Sequence, residues 1–225
     1  TGDEDLLDPR VCECCATGAA LADGGPVVVY RGRSDEEIRD FRIVRRTADG
    51  WSAPKTVADD GWRIAGCPVN GPAIDADGQR VVVAWFTAAE DQPRVRLAVS
   101  TDGGAHFAQP VEIASEGVRG RVDVVLADDG TAVVSWLGRQ ADQTAVLLRA
   151  VSPQGRPGPI HSVAATSGAR SSGFPRLALE GDELRVVWRN SEGAGELHGH
   201  RLNIDQLKTR AQATPPPSPP TTGRR

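Results

Sequence analysis

Four cysteines carry the sharpest chemistry in this chain. Cys12-Glu13-Cys14-Cys15 sets three thiols in four positions, and Cys67 stands in the segment GCPVNGP that runs from Gly66 to Pro72. Two chemistries suit them. One is a pair of disulfides in an extracytoplasmic protein, with three possible pairings, one of which joins the neighbours Cys14 and Cys15. The other is a thiolate cluster for a soft ion such as Cu(I) or Zn(II). The C-x-C-C spacing is not the C-x-x-C of a standard zinc site, and no histidine is near it in sequence. In an extended strand Cys14 and Cys15 point to opposite faces, so a shared ion requires the backbone to turn there.

The second chemical signal is arginine. Lys55 and Lys208 are the only lysines among 26 basic residues, and the formal charge is −4. That balance argues against nucleic-acid binding by a basic surface and leaves room for a local guanidinium cluster. Guanidinium groups make bidentate bonds to carboxylates and phosphates, so several at one mouth form an anion pocket. Arg121 and Arg176 are the leading candidates, with Arg119, Asn70 and the pair Asp60 and Trp62 as further ligand-binding candidates. Trp62 has two readings, stacking on a sugar or covering the cysteines, and covering is favoured because Trp is usually largely buried. Asp35, Glu36, Asp40, Asp59 and Asp60 are acid/base candidates only where a mouth desolvates them.

The elements that must position these residues repeat. Strand-like runs end in Tyr30, Trp85, Trp136 and Trp188, separated by 55, 51 and 52 positions. A short strand precedes three of these runs, near Pro72–Ile74, Val122–Leu126 and Arg176–Leu179. A third strand follows each run, at Phe41–Arg45, Arg94–Val99, Thr144–Val151 and Glu196–Leu202. A fourth follows at Lys55–Val57, Val111–Ile113 and Ile160–Val163, with none evident in the last period. A unit of four antiparallel strands repeated every ~50 residues is the pattern of propeller blades. The expectation is an all-β fold with four blades. The connections between blades, and from second to third strands, then share one face, which carries the arginine-rich loops and all four cysteines. Shifting Cys12 by 55 lands on Cys67, which places both near inner-strand starts of adjacent blades. Ser34 followed by Glu37 suits a capped helical turn within a salt-bridged loop.

The hairpin after Val99 has Ser100, Asp102, Gly104 and Phe107 at offsets of two, four and seven, with weaker versions at Thr47–Trp51 and Ser152–Arg156. This spacing resembles the Asp-box of the sialidase-like (BNR repeat) β-propellers, where it closes the outer hairpin of a blade and is structural. The whole chain resembles bacterial sialidase-like proteins that combine such a propeller with C-x-C-C and GCPVNGP segments. The resemblance implies a six-bladed ring, of which four blades are visible and others are expected on the N-terminal side, with a self-contained four-bladed closure as the alternative. It also implies three arginines holding a substrate carboxylate, an Asp acid/base and a Tyr–Glu nucleophile. The only tyrosine, Tyr30, fills the position taken elsewhere by Trp, and Phe41-Arg42-Ile43 lies on a third strand, so sialidase catalysis is not carried over.

With 25 Gly, 16 Pro and 39% apolar residues, the composition suits a turn-rich β fold over residues 1–207. From Lys208 it changes to a Pro-rich segment, residues 208–225, expected to be a disordered tail. No apolar run is long enough to span a bilayer, and no leader is present in this chain. The expected setting is periplasmic or secreted. The expected partner is an acidic small molecule or glycan bound at the Arg/Cys-lined mouth, with glycoside hydrolysis as the enzymatic version. Thiolate metal binding of Cu or Zn and a non-catalytic protein-interaction scaffold are the alternatives.

Overall fold

The structure is a computed structural model that describes Gly2 and residues 4–169, 171–191 and 195–208. Four antiparallel sheets follow one another along the chain. The first holds β1 (Gly18–Ala22), β2 (Gly25–Arg31) and β3 (Phe41–Thr47), with the short β4 (Gly50–Trp51) and β5 (Lys55–Thr56) both pairing with β3. The second holds β6 (Ala73–Asp77), β7 (Arg80–Thr87), β8 (Arg94–Ser100) and β9 (Val111–Ala114). The third holds β10 (Val118–Leu126), β11 (Ala132–Gln140), β12 (Gln143–Val151) and β13 (Pro157–Ala165). Among the described residues the fourth has three strands, β14 (Gly173–Glu180), β15 (Glu183–Asn190) and β16 (Glu196–Asn203), and is followed by a single helical turn, α1 (Asp205–Lys208). The architecture is a β-propeller, as the repeat predicts.

The inner strands β1, β6, β10 and β14 pack side by side in that order. Side-chain carboxylates stitch them together: Asp75 Oδ2 accepts from the Leu126 N–H, and Asp123 Oδ2 accepts from the Leu177 N–H, both at 2.7 Å. Strand β1 is the inner strand that the sequence did not reveal. Its GAALA segment lacks β-branched residues, and a Cβ at Gly18 would stand 3.0 Å from Ile74 Cγ2, a tight approach to β6 that glycine relieves.

Between successive sheets lie three apolar layers. Trp85 and Phe41 anchor the first, Trp136 and Val134 the second, and Trp188 and Leu148 the third. Trp85 and Trp136 are fully buried, and truncating either to alanine would cost about 3–5 kcal/mol. Leu207 and Ile204, both 1% exposed, complete the third layer. Lys208 belongs to α1 and pairs with Asp129 at 2.9 Å. Residues 209–225 of the expected tail lie outside the described residues.

The aromatic ends of the repeat carry a second pattern. Tyr30 Oη donates to Asp8 Oδ2 at 2.8 Å, and Arg42, opposite Tyr30 in register, donates to the same oxygen at 3.0 Å. One blade on, Trp85 Nε1 donates to Asp60 Oδ2 at 2.6 Å, and Arg96, opposite Trp85, pairs with Asp60 Oδ1. In the third blade Leu147 replaces the arginine, and the buried Trp136 Nε1 has no partner.

The Ser100 turn closes β8 through its own side chains. Ser100 Oγ accepts from the Gly104 N–H at 2.9 Å and donates to Asp102 Oδ1 at 2.8 Å, and Asp102 Oδ1 also accepts from the His106 N–H at 2.9 Å. Gly103 and Gly104 have φ of +67° and +81°, and Phe107 packs against the first apolar layer. At Thr47 and Ser152 the hydroxyl again closes the turn, to Gly50 O and from the Arg156 N–H. Around Ser34 the chain makes a turn instead of a helix. Glu37 takes φ +62° and turns its carboxylate to Arg33 and Arg39, so no capping box forms.

Candidate functional site

The inner strands bring their first residues together around a cavity of about 330 Å³. Its walls are Cys14 and residues 16–19 at the start of β1, 69–74 leading into β6, 121–123 of β10 and 174–176 of β14, so every sheet contributes. Register makes four of these positions equivalent. Gly18, Ala73, Asp123 and Arg176 each pair with the residue that immediately precedes the blade aromatic: Val29, Ala84, Ser135 and Val187. At one level of the mouth the repeat therefore places a hydrogen, a methyl, a carboxylate and a guanidinium.

Arg176 Nη1 lies 3.3 Å from Asp123 Oδ1, with side chains 66% and 13% exposed. Burial pushes the Asp123 carboxyl above the usual range, and the Leu177 N–H and Arg176 offset only part of that. Among the described residues that line the cavity, Asp123 is the one carboxylate and none is a tyrosine.

The rim is built from strained backbone. Val69, Arg121 and Phe174 have φ of +49°, +58° and +54°, at a cost of order 1–3 kcal/mol each. Gly120-Arg121 and Gly173-Phe174 form the same bulge in consecutive blades. Glycine is required at both: a Cβ on Gly120 would meet Asn70 Oδ1 at 2.4 Å, and one on Gly173 would meet Leu137 Cδ1 at 2.2 Å. Asn70 Oδ1 accepts from the Arg121 N–H at 2.8 Å, while the Asn70 carbonyl accepts from Arg31 Nη2 at 2.9 Å. Arg121 Nη1 donates to Ser172 O at 2.6 Å, and its guanidinium sits 4.8 Å from the Phe174 ring centre.

Of the residues singled out from sequence, Arg121, Arg176 and Asn70 line this cavity. Arg119 is exposed beside Gly168 and does not. Asp60 stands elsewhere, its side chain 3% exposed between Arg96 and Trp85. Trp62 is 7% exposed, packs edge-on against Phe86 and lies 4.8 Å from the Arg31 guanidinium, so it is buried over an arginine and is not an exposed sugar platform. Asp40 is desolvated, which raises its pKa, but both its oxygens accept backbone N–H groups of Gly61 and Trp62. Tyr30 is buried, and desolvation followed by its bond to Asp8 pushes the phenol up, away from the phenolate a nucleophile needs. Asp123 and Phe174 escaped sequence reasoning, although Asp123 was signalled as the repeat equivalent of Arg176.

The cysteines meet beside the cavity. Cys14 lines it, and a disulfide joins Cys14 to Cys67 with the Cα atoms 6.0 Å apart. The sulfur that meets Cys67 is thus that of Cys14, two residues from the one the repeat offset indicates. Cys12 and Cys15 are free thiols, and Cys12 Sγ is 3.6 Å from Cys14 Sγ and 3.5 Å from Cys15 Sγ. Three sulfurs lie within 4.8 Å of one another, the spread of a thiolate metal set, but the Cys14 sulfur is committed to the disulfide. Arg39 Nη1 donates to Cys12 Sγ at 3.3 Å, and Glu37 holds Arg39 by Oε2 at 2.7 Å. Burial raises the Cys12 thiol, yet the Cys14 N–H, Arg39 and Cys15 more than reverse it, so the net shift is downward. Burial raises Cys15. His198 stacks on Trp188 and bonds to Glu196.

No protein-family profile matches the chain, and no curated protein matches it. Solved structures do, and those it resembles are glycoside hydrolases that share the propeller fold. A Hadza microbial sialidase superposes with a TM-score of 0.55 at 17% identity, over 82% of this chain and 43% of that one. An α-L-arabinanase of Penicillium chrysogenum gives 0.60 at 14%, over 88% and 64%. A xylan β-1,4-xylosidase of Bacillus halodurans gives 0.53 at 11%, over 88% and 41%. The chain spans less than two thirds of the length of these three structures, and the likeness is one of fold.

Proposed function

We propose that this glycoside-hydrolase-like propeller binds an anionic ligand, an acidic glycan or sugar acid, in the axial cavity. The observation that carries the reading is Arg176, two-thirds exposed at the cavity wall, with Arg121 positioned on the same rim by its bulge. Guanidinium groups at one rim suit a ligand carboxylate in charge and in donor chemistry. The likeness to a sialidase supports an acidic sugar, and the Cys14–Cys67 disulfide supports an exported protein. Binding is favoured over hydrolysis because glycoside hydrolysis usually needs two carboxyl groups flanking the bond, and Asp123 is the single one among the described lining residues.

Calorimetry with N-acetylneuraminate and glucuronate, against the neutral sugars arabinose and xylose, tests the reading. The acids bind and the neutral sugars do not, and Arg176→Ala weakens the acids about tenfold or more, one lost charge-assisted contact. Equal binding of acidic and neutral sugars, or an unaffected Arg176→Ala, defeats it. A soft-metal reading is favoured by the 4.8 Å sulfur cluster and requires the disulfide to be reduced first. Loading of Cu(I) or Zn(II) after reduction, lost in Cys12→Ser, is its test.

A further inference from the structure

Arg31 is 2% exposed and lies over Phe41 at 4.0 Å from the ring centre, and its guanidinium donates to the carbonyls of Arg39, Asn70 and Phe86. Among the described residues no carboxylate is within ion-pair distance of it. A buried cation is costly without an anion, and the ionisable groups that act on this one are Cys15, Cys12 and the Asp40 carboxylate. Arg39 Nη1 is 3.3 Å from Cys12 Sγ, so two guanidinium groups stand beside the free thiols. The two thiols are C-x-x-C apart with their sulfurs 3.5 Å from each other, and Cys12 Sγ is in van der Waals contact with a disulfide sulfur.

We infer that Cys12 and Cys15 are a redox-active dithiol that exchanges with the Cys14–Cys67 disulfide, moving the cross-link between two positions. Cys12 thiolate attacks Cys14 Sγ across 3.6 Å; the Cys14–Cys67 bond breaks, and its electron pair leaves on Cys67, which is exposed and takes a proton from water. Cys15 thiolate then attacks Cys12 Sγ across 3.5 Å, and the pair leaves on Cys14, which is protonated in turn. One disulfide and two thiols stand on each side, the two protons lost by Cys12 and Cys15 are regained by Cys67 and Cys14, and no outside oxidant or reductant enters. Burial of Cys12 suits a step that is internal.

The two states differ in reach. Cys14–Cys67 ties the segment ahead of β1 to the loop that ends in Asn70, spanning 53 residues, whereas Cys12–Cys15 is local and releases that loop. Asn70 holds the Arg121 N–H at the cavity rim and accepts from Arg31. The exchange therefore acts on the rim of the axial cavity, and it stands whether or not that cavity binds an anion.

The test is a disulfide map of the full chain, equilibrated anaerobically in a glutathione buffer poised to leave one disulfide, acid-quenched, alkylated and analysed by mass spectrometry. The expected result is a Cys12–Cys15 fraction of about 10% or more, a gap of no more than about 1.4 kcal/mol between the pairings. Alkylation of Cys67 should fall at least tenfold in Cys12→Ser. Should that variant not fold, the wild-type map decides by itself. Cys14–Cys67 as the sole pairing at every poise, with Cys12 and Cys15 both alkylated, overturns the inference. So does a stoichiometric Cu or Zn that holds the reduced cysteines and suppresses the pairing.

Discussion

Trp85 donates its indole N–H to Asp60 at 2.6 Å, whereas Trp136, the same residue one blade further on, is equally buried and has no acceptor. The pair of sites is an internal control for what one buried charge-assisted hydrogen bond contributes. Trp85→Phe leaves Asp60 with one partner fewer, and Trp136→Phe removes an unmet donor. Both shrink a core side chain alike, so the excess loss in Trp85→Phe reads the bond, about 1.5–3 kcal/mol. Urea unfolding of the two variants measures it, and equal losses would refute the assignment.

Asp60 was a ligand candidate from sequence, and its burial makes it a structural acid. Asp60→Ala strands Arg96 and the Trp85 indole together, so a loss of about 3–5 kcal/mol is expected. Sugar-acid affinity, corrected for folded fraction, should be unchanged.

Gly120 and Gly181 both have positive φ, +84° and +56°, but only Gly120 has a neighbour where a Cβ would go. Gly181→Ala pays for conformation alone, about 1–2 kcal/mol. Gly120→Ala must also displace the Asn70 amide, so it should destabilise more and weaken anion binding, while Gly181→Ala leaves binding unaltered.

Asp123 has a raised pKa in the fold, so the native state holds its proton more tightly than the unfolded chain. Between the unfolded value near 3.8 and the raised native value, this group's contribution to stability falls as pH rises. Ionised Asp123 also competes for Arg176. Sugar-acid affinity should therefore increase about threefold to tenfold as pH is lowered through the native Asp123 titration, roughly 1 kcal/mol of relieved competition. A carboxyl NMR titration locates the midpoint, and an affinity independent of Asp123 protonation would contradict the pairing.

Glu37 shows the opposite sign. Arg33 first and Arg39 second hold its carboxyl down at about 2, so its contribution is complete above its ordinary 4.5 and is lost as pH falls toward 2. Glu37→Gln should raise the apparent pKa of the Cys12 thiol by loosening Arg39, readable as slower alkylation of Cys12 at neutral pH.

The sequence by itself determined the repeat, the sheet class and the turn at Ser100, because strand periodicity, aromatic spacing and glycine placement act over a few residues. It marked Arg121, Arg176 and Asn70 for the mouth because the repeat fixes where each inner strand begins. Only the tertiary structure decided that Asp60 and Trp62 are buried supports, that Cys14 and not Cys12 meets Cys67, and that Asp123 sits across from Arg176. Those outcomes depend on how far each strand slides and bulges against the next blade. A bulge of one residue at Gly120 or Gly173 re-aims every side chain that follows it, and that shift is set by packing between sheets, which no local pattern encodes.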